Sequence, residues 1–219
     1  MADGHLLAYL MPEAARGRFP PSDGRVEVLP SPPGRSDAVV AFTAHSVIAV
    51  DLGESELRDR LDPADLGAPM SAEFLSWLGG RLGTRCGILD LVLVAPATAP
   101  GEDLVELVPR EDLLDHPRLA RSRRYRADLR CYSDPDDRAL VVVGRGLAGR
   151  WEMGLEIREE HRGAGLGRRY ARVAGTLAPD GEPMFAQVSP GNTASVRAFL
   201  AAGYRPICSE VLLLKRAWL

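Results

Sequence analysis

The sequence predicts a mixed α/β fold of the α+β kind, in which helices flank a twisted and mostly antiparallel sheet. Residues 151–157 alternate apolar and polar side chains as a strand does. From Leu166 the apolar residues Tyr170, Val173 and Leu177 follow at intervals of four, three and four, which is the apolar face of a helix. Three consecutive strands, at 127–132, 139–144 and 151–157, indicate an antiparallel meander before that helix.

We expect three parts in the chain. Residues 1–37 hold six prolines between Pro12 and Pro33, which predicts an irregular segment. Residues 38–116 predict an N-terminal α/β lobe with strands at 38–42 and 46–50, helices near 54–60 and after Ser71, and an apolar strand at 88–95 that is buried on both faces. The turn-rich stretch from Pro96 to Pro117 marks the boundary. Residues 117–219 then supply a helix near 119–125, the meander, the helix after Leu166, a strand at 184–188, a helix at 192–202 and two short terminal strands.

Composition is that of a soluble globular chain, with 46% hydrophobic and 26% charged residues. No apolar run reaches the roughly 18 residues of a membrane span, and the N-terminus lacks the basic region of a signal peptide, so we expect a cytoplasmic protein without membrane contact. The three cysteines are scattered, which argues against a disulfide framework and against a metal site. The sequence does not separate a monomer from a homodimer.

Charge is unevenly distributed along the chain. Residues 1–116 carry nine arginines and nineteen acidic residues, whereas residues 117–219 carry eighteen basic and eleven acidic residues. A basic half suits a polyanionic ligand, although two complementary halves of one protein would show the same pattern. The basic residues have no interleaved aromatic side chains, so nucleic-acid binding is not indicated.

Three glycines, Gly163, Gly165 and Gly167, lie where the strand at 151–157 gives way to the helix after Leu166. Glycine is costly in a helix, but its missing Cβ lets an anion approach the free NH groups of a first helical turn. Arg162 and Arg168 flank the turn, so the segment predicts a pyrophosphate cradle; a turn that merely needs glycine is the alternative. Gly167 is followed by two arginines, not by Lys-Ser or Lys-Thr, which excludes a P-loop, and the GxGxG spacing does not fit a dinucleotide fingerprint.

The pattern Arg162-x-x-Gly165-x-Gly167, followed by a helix, a strand and the segment from Asn192 to Pro206, resembles the GNAT superfamily of acyl-CoA-dependent N-acyltransferases. The resemblance covers roughly residues 120–219. It implies a GNAT-type sheet, acetyl-CoA or another acyl-CoA as co-substrate, and a primary amine of a small molecule or peptide as acceptor. Residues 38–108 then either supply an enlarged beginning of that fold or form a degenerate GNAT-like lobe; we favour the separate lobe.

The resemblance also assigns site residues. The pantetheine arm would lie along the main chain of 153–157, and Asn192 would contact the cofactor in addition to its predicted role as a helix N-cap. The cofactor-binding residues so predicted are Leu155, Glu156, Ile157, Arg162, Gly163, Ala164, Gly165, Leu166, Gly167, Arg168, Asn192 and Ser195.

For catalysis, Glu152 is the candidate base, with a salt-bridged strand glutamate as the alternative reading and Glu156 as an alternative base. Many relatives have a tyrosine where this chain has Phe199, so Tyr204, Ser189 or water would have to supply the proton that a phenyl ring cannot give. The favoured function is therefore an N-acetyltransferase, by direct attack of the amine on the thioester and without a metal. The alternative is a weak or inactive acyl-CoA-binding protein that serves as an interaction module.

Overall fold

The computed structural model describes residues 4–96, 105–113, 115–179 and 181–218. The chain forms two compact units. The first comprises Met1–Asp90, Leu147–Gly149 and Ile207–Leu219, and the second comprises Leu91–Gly146 and Arg150–Pro206. The units thus divide inside the strand Cys86–Val94, and the C-terminal residues return to the first unit, whereas the sequence predicts one boundary at residue 116. Residues 97–104 and 114 of the predicted boundary segment lie outside the described residues.

The first unit contains four neighbouring strands in the order β1-β3-β2-β10. Its strands β2 and β3 form an antiparallel hairpin, β10 pairs antiparallel with β2, and β1 pairs parallel with β3. Its core joins the sheet to α2 and α3 through side chains such as Ile48, Leu57, Phe74 and Leu78. The bounds are α1 Leu6–Ala15, β1 Val26–Leu29, β2 Ser36–Phe42, β3 His45–Ala49, α2 Glu54–Arg58, α3 Ala72–Leu82, β4 Cys86–Val94 and β10 Arg205–Leu214.

The prediction of an irregular segment over residues 1–37 is wrong in two places. Helix α1 forms because Leu7, Met11 and Ala14 share one face and are buried, and because the His5 ring caps the helix by accepting from the Leu7 NH at 3.2 Å. Strand β1 forms because it finds a parallel partner in β3, twenty residues along the chain. Proline frequency alone does not reveal either stabilising contact.

Two strand predictions also need correction. Strand β4 is not buried on both faces along its length, since Ile88 is 62% exposed and Leu89 is 41% exposed. The two short terminal strands are one continuous strand, β10. The helices after Gly53 and Ser71 are confirmed, with the Ser71 hydroxyl accepting from the Phe74 NH at 3.2 Å.

The second unit contains the strand order β4-β9-β8-β7-β6-β5. All neighbouring pairs in it are antiparallel except β8 and β9, so the predicted meander of β6, β7 and β8 is confirmed, as is the mixed, mostly antiparallel fold. Its elements are β5 Val108–Pro109, α4 Pro117–Arg123, β6 Ala127–Ser133, β7 Ala139–Arg145, β8 Trp151–Ile157, α5 Leu166–Ala174, β9 Met184–Val188 and α6 Thr193–Ala201.

The two faces of β8 point to different surroundings because side chains alternate along a strand. Trp151 and Met153 are buried in the core that α5 and α6 close, together with Tyr170 and Phe199. The opposite face of β8 carries Glu152, Gly154 and Glu156, and on that side of the sheet α4 packs through Leu119 against Leu140 and Val142 of β7. The strand therefore places its acidic residues on the α4 side and its apolar residues on the α5 side.

Candidate functional site

The turn between β8 and α5 is open to solvent. Gly163 and Gly165 have φ angles of 82° and 74°, in the left-handed region that glycine adopts most easily. A Cβ built at either residue would have no other atom within 4 Å. In the part of the chain that the structure describes, the NH groups of residues 163–167 make no hydrogen bond of ordinary geometry to the protein. An anion could therefore approach these NH groups at the positive end of α5.

Gly167 has a different role from its two neighbours. A Cβ at this position would lie 3.3 Å from Cβ of Ala198, closer than side chains normally pack. Its missing side chain therefore lets α5 approach α6, while its NH group remains in the open first turn of the helix. Leu166 likewise contributes its side chain to the core and leaves only its main chain at the turn.

The charged residues predicted beside the turn are on the surface. Arg162 and Arg168 are both exposed, as is Ala164 between them. The Arg162 Nε donates to the carbonyl oxygen of Ile157 at 3.2 Å, which ties the turn to the end of β8. Positive charge thus lies close to the open NH groups.

The edge of β8 that faces β9 opens towards the same turn. The parallel pairing of these strands ends at Met153 and Ala186, although β8 continues to Ile157 and β9 to Val188. Pairing with β7 continues along the whole of β8. A ligand could therefore add to the unpaired edge as an extra strand does.

The hydrogen-bond pattern shows which main-chain groups that edge presents. Gly146 donates to Arg150 at 2.9 Å, and Arg158 donates to the carbonyl of Arg138 at 3.0 Å, in register with the β7–β8 ladder. Hydrogen-bonded pairs alternate in an antiparallel ladder, so Glu152, Gly154 and Glu156 direct their NH and C=O groups to β7. Leu155 and Ile157 direct theirs to the open side.

Asn192 begins helix α6, as the sequence predicts. Its side-chain oxygen accepts from the Ser195 NH at 3.2 Å, so both residues take part in the N-cap. Asn192 is exposed and Ser195 is partly exposed. Their predicted contact with a cofactor remains a prediction.

Glu152 is buried in an ion-pair network. It is 0% exposed, and its two carboxylate oxygens accept from the Nε atoms of Arg126 and Arg150, each at 2.8 Å. Gln187 of β9 adds a contact at 3.3 Å. A Cβ at Gly146 would lie 2.1 Å from the Glu152 carboxyl carbon, so that glycine makes room for the carboxylate.

This network weighs against the prediction that Glu152 is the base. Burial alone would raise the pKa of the Glu152 carboxyl, but the charges of Arg150 and Arg126 outweigh burial and hold that pKa below its ordinary value. A general base needs an accessible lone pair and a pKa near the working pH. The structure therefore favours the alternative reading, a salt-bridged strand glutamate. Glu156, two residues along the same face, is only partly buried.

Tyr204 does not present its hydroxyl to a ligand. The residue is 2% exposed, and its hydroxyl donates to the carbonyl oxygen of Ala171 at 2.9 Å, with Sδ of Met153 at 3.0 Å. Burial raises the pKa of the Tyr204 hydroxyl. Phe199 packs edge-on against it, with ring centroids 4.9 Å apart. Both side chains are core residues, a position that does not favour Tyr204 as the acid.

Several charged or polar residues beside β8 were missed by sequence reasoning. Arg150 could have been predicted, because it directly precedes β8 and lies two residues before Glu152, so an extended chain places both side chains on one face. Arg126, Gln187 and Arg118 come from other elements, and no local pattern links them to β8. Among the described residues, no group of three or more His, Cys, Asp and Glu side chains is placed to hold a metal ion. Nor does any described helix have the length and apolar character needed to cross a membrane.

The second unit thus has an open glycine turn after β8 and a stretch of β8 beyond the end of its pairing with β9. Residues 152–213 match the family model of FR47-like proteins, which are related to the GNAT superfamily. The predicted resemblance to that superfamily is confirmed over these residues.

Solved structures that are similar to the chain include two GNAT-family proteins. A GNAT-family acetyltransferase from Colwellia psychrerythraea shares 12% identity at a TM-score of 0.44 and covers 66% of this chain. A GNAT-family protein from Novosphingobium aromaticivorans shares 21% identity at a TM-score of 0.41 and covers 60%. The chain spans 63% and 65% of their lengths, less than two thirds of either. No curated protein matches the chain.

Proposed function

We propose that the second unit binds an acyl-CoA, acetyl-CoA in the simplest case, and transfers the acyl group to a primary amine of a small molecule or peptide. The observation that supports this most is the continuity of two open features. The NH groups at Gly163–Gly167 suit a diphosphate, and the unpaired edge of β8 leads from that turn towards the middle of the sheet.

The residues present fit coenzyme A along its length. The diphosphate would accept from the NH groups of the glycine turn, with Arg162 and Arg168 adding positive charge. The pantetheine amides would pair with the main chain of Leu155 and with the NH group of Ile157, whose carbonyl oxygen already accepts from Arg162. Such main-chain recognition would place the thioester near Met153, where β8 and β9 separate.

Direct transfer needs little from the protein beyond position. The amine lone pair attacks the thioester carbonyl, the C–N bond forms, the C–S bond breaks, and the amine proton passes to a base while the thiolate takes up a proton. Glu156 is the carboxylate on the α4-side face of β8 that is not fully buried, so we assign it the role of base. Water then protonates the thiolate, since the Tyr204 hydroxyl is bonded within the core.

A second candidate, an acyl-CoA-binding protein without turnover, is favoured by one observation. The phenol at Tyr204 and the carboxylate at Glu152 are both committed to internal contacts, so neither of the predicted catalytic groups is available. Both candidate functions require binding of CoA, and they differ only in whether the acyl group is transferred to an amine.

The deciding experiment measures free thiol released from acetyl-CoA by the purified chain across a panel of primary amines. The proposal expects release that depends on at least one amine and on protein concentration, and that falls in Glu156→Gln. Calorimetric binding of CoA without release on any amine would support the binding-only candidate. Absence of CoA binding would overturn both.

A further inference from the structure

Arg118 in the first turn of α4 lies against Gly154 of β8. A Cβ built at Gly154 would lie 3.1 Å from Nη2 and 3.5 Å from Nε of Arg118, and 3.3 Å from Nη1 of Arg126. Glycine at this position therefore gives two guanidinium groups access to the strand face. The place is the α4-side face of β8, at the residue where pairing with β9 has just ended.

The two guanidinium groups differ in their partners. Arg126 donates to Glu152 and to the Gln187 side chain, both at 2.8 Å. In the described part of the chain, the Arg118 guanidinium makes no hydrogen bond and no ion pair, although the residue is partly buried. Burial lowers the pKa of Arg118, and while Glu156 opposes this shift, the charges of Arg126 and Arg121 add to it. A guanidinium held in this way gains from an anion that supplies the missing partner.

Arg118 lies beside charged groups of both signs. Arg126 is paired with the Glu152 carboxylate at 2.8 Å, whereas no carboxylate among the described residues is within ion-pair distance of Arg118. Glu156 attracts Arg118 but lies beyond ion-pair distance from it. Glu156 projects on the same strand face as Gly154, two residues or roughly 7 Å along the strand. A positive and a negative group are thus presented side by side.

We propose that Arg118 binds a carboxylate of the acceptor, so that the acceptors of this protein are small amino carboxylates. The inference rests on the proposed acyl transfer. The planar guanidinium pairs with a carboxylate through two parallel hydrogen bonds, and Glu156 receives the ammonium group that must lose its proton before attack. The zwitterion of an amino acid carries these two charges at one end of the molecule.

A phosphate of CoA is the other anion that could reach Arg118. The glycine turn that suits the diphosphate leads into α5, which packs on the opposite face of β8. The two anions can be distinguished by measuring KM for the acceptor and KM for acetyl-CoA separately. Loss of an acceptor carboxylate contact raises the KM of the acceptor, and loss of a phosphate contact raises the KM of acetyl-CoA.

The test compares amines that differ only in their carboxylate, such as glycine with glycinamide, β-alanine with β-alaninamide, and lysine with lysinamide. Acetyl-CoA is the donor and thiol release the readout. We expect at least one acid to exceed its amide in kcat/KM by about tenfold or more, the scale of one hydrogen-bonded charge pair. Arg118→Gln should remove that preference by raising the KM of the acid. The kcat/KM of the amide and the KM of acetyl-CoA should both stay within about twofold of their native values, because neither depends on the carboxylate contact.

Two further variants guard against indirect effects. Arg121→Gln makes the same change on an exposed residue of the same helix and should keep the preference for the acid. Arg118→Lys keeps the positive charge and should retain only part of the preference for the acid, because a lysine cannot form the two parallel hydrogen bonds. Equal use of acids and amides by the native chain, or an unchanged preference in Arg118→Gln, would overturn the proposal. So would a rise in the KM of acetyl-CoA alone, which would assign Arg118 to a cofactor phosphate.

If no amine is acetylated, the proposed transfer fails, but binding still decides the role of Arg118. The probes are then N-acetylglycine and N-acetyl-β-alanine against their amides, titrated calorimetrically into the protein saturated with CoA. Binding of an acid but not its amide, lost in Arg118→Gln, would support the carboxylate site. Binding of neither acid, or equal binding of acid and amide, would refute it.

Discussion

Replacing Glu152 by glutamine tests whether this residue stabilises the fold or performs catalysis. The side chain is fully buried, and both carboxylate oxygens accept from guanidinium groups at 2.8 Å. Glutamine can accept from one of them but removes the negative charge that both buried guanidinium groups contact. Breaking a buried ion pair on one side costs about 3–5 kcal/mol. A loss on that scale lowers the Tm of a chain of this size by roughly 6–20 °C.

Chemical denaturation and thermal unfolding, followed together with CoA affinity, measure the effect. Glu156→Gln is the matched control, because it makes the same change on the same strand face at a residue that is only partly buried, and we expect a change within about 0.5 kcal/mol. The reasoning is refuted if Glu152→Gln unfolds like the native chain while thiol release falls a hundredfold, the behaviour of a catalytic base.

The same ion pairs give a pH dependence with a definite sign. Since the pKa of Glu152 is lower in the folded chain than in the unfolded chain, its contribution to stability is complete above the unfolded value of about 4.3. The contribution is lost as the pH falls from there through the folded pKa. Between pH 7 and pH 3, the free energy of unfolding of Glu152→Gln should therefore fall by less than that of the native chain. If the two plots of unfolding free energy against pH are parallel, the pKa of Glu152 is the same in the folded and unfolded chains.

Three further predictions concern neighbouring residues. Gly167→Leu should destabilise the chain by about 1–3 kcal/mol through overpacking against Ala198, and Ala198→Gly in the same chain should recover part of the loss in denaturant titrations. Asn192→Ala should cost about 0.5–2 kcal/mol as a lost N-cap, whereas Asn192→Asp should keep the cap and weaken CoA binding by charge repulsion; unchanged affinity would remove Asn192 from the cofactor site. Tyr204→Phe should cost about 0.5–1.5 kcal/mol and leave the rate of thiol release within about twofold, and a much larger fall in rate at unchanged stability would restore Tyr204 as the acid.

The second unit was the more predictable part of the fold because its signals are local. The alternation in Trp151–Ile157 and the helical spacing after Leu166 lie within single elements, and the structure confirms both. The first unit depends on pairings between distant segments. Strand β1 is stabilised by β3, and β10 joins β2 across most of the chain, which no local period encodes.

The candidate site divides in the same way. The glycine turn could be predicted from the sequence, because glycine is the residue that adopts the positive φ angles found at Gly163 and Gly165 most easily. The role of Glu152 could not, because its partner Arg126 comes from outside β8. Arg118 shows the same limit, since its position over Gly154 depends on how α4 packs on the sheet.

The most direct test of the central claim is a calorimetric titration of CoA into the native chain, Gly165→Leu and Gly181→Leu. Both glycines have positive φ angles, 74° and 78°, and open space where a side chain would go, so the two variants carry similar backbone strain. Only Gly165 borders the open NH groups. We predict that Gly165→Leu abolishes measurable binding while Gly181→Leu binds as the native chain does; equal affinity in all three would contradict the assignment of the glycine turn as the site of the CoA diphosphate.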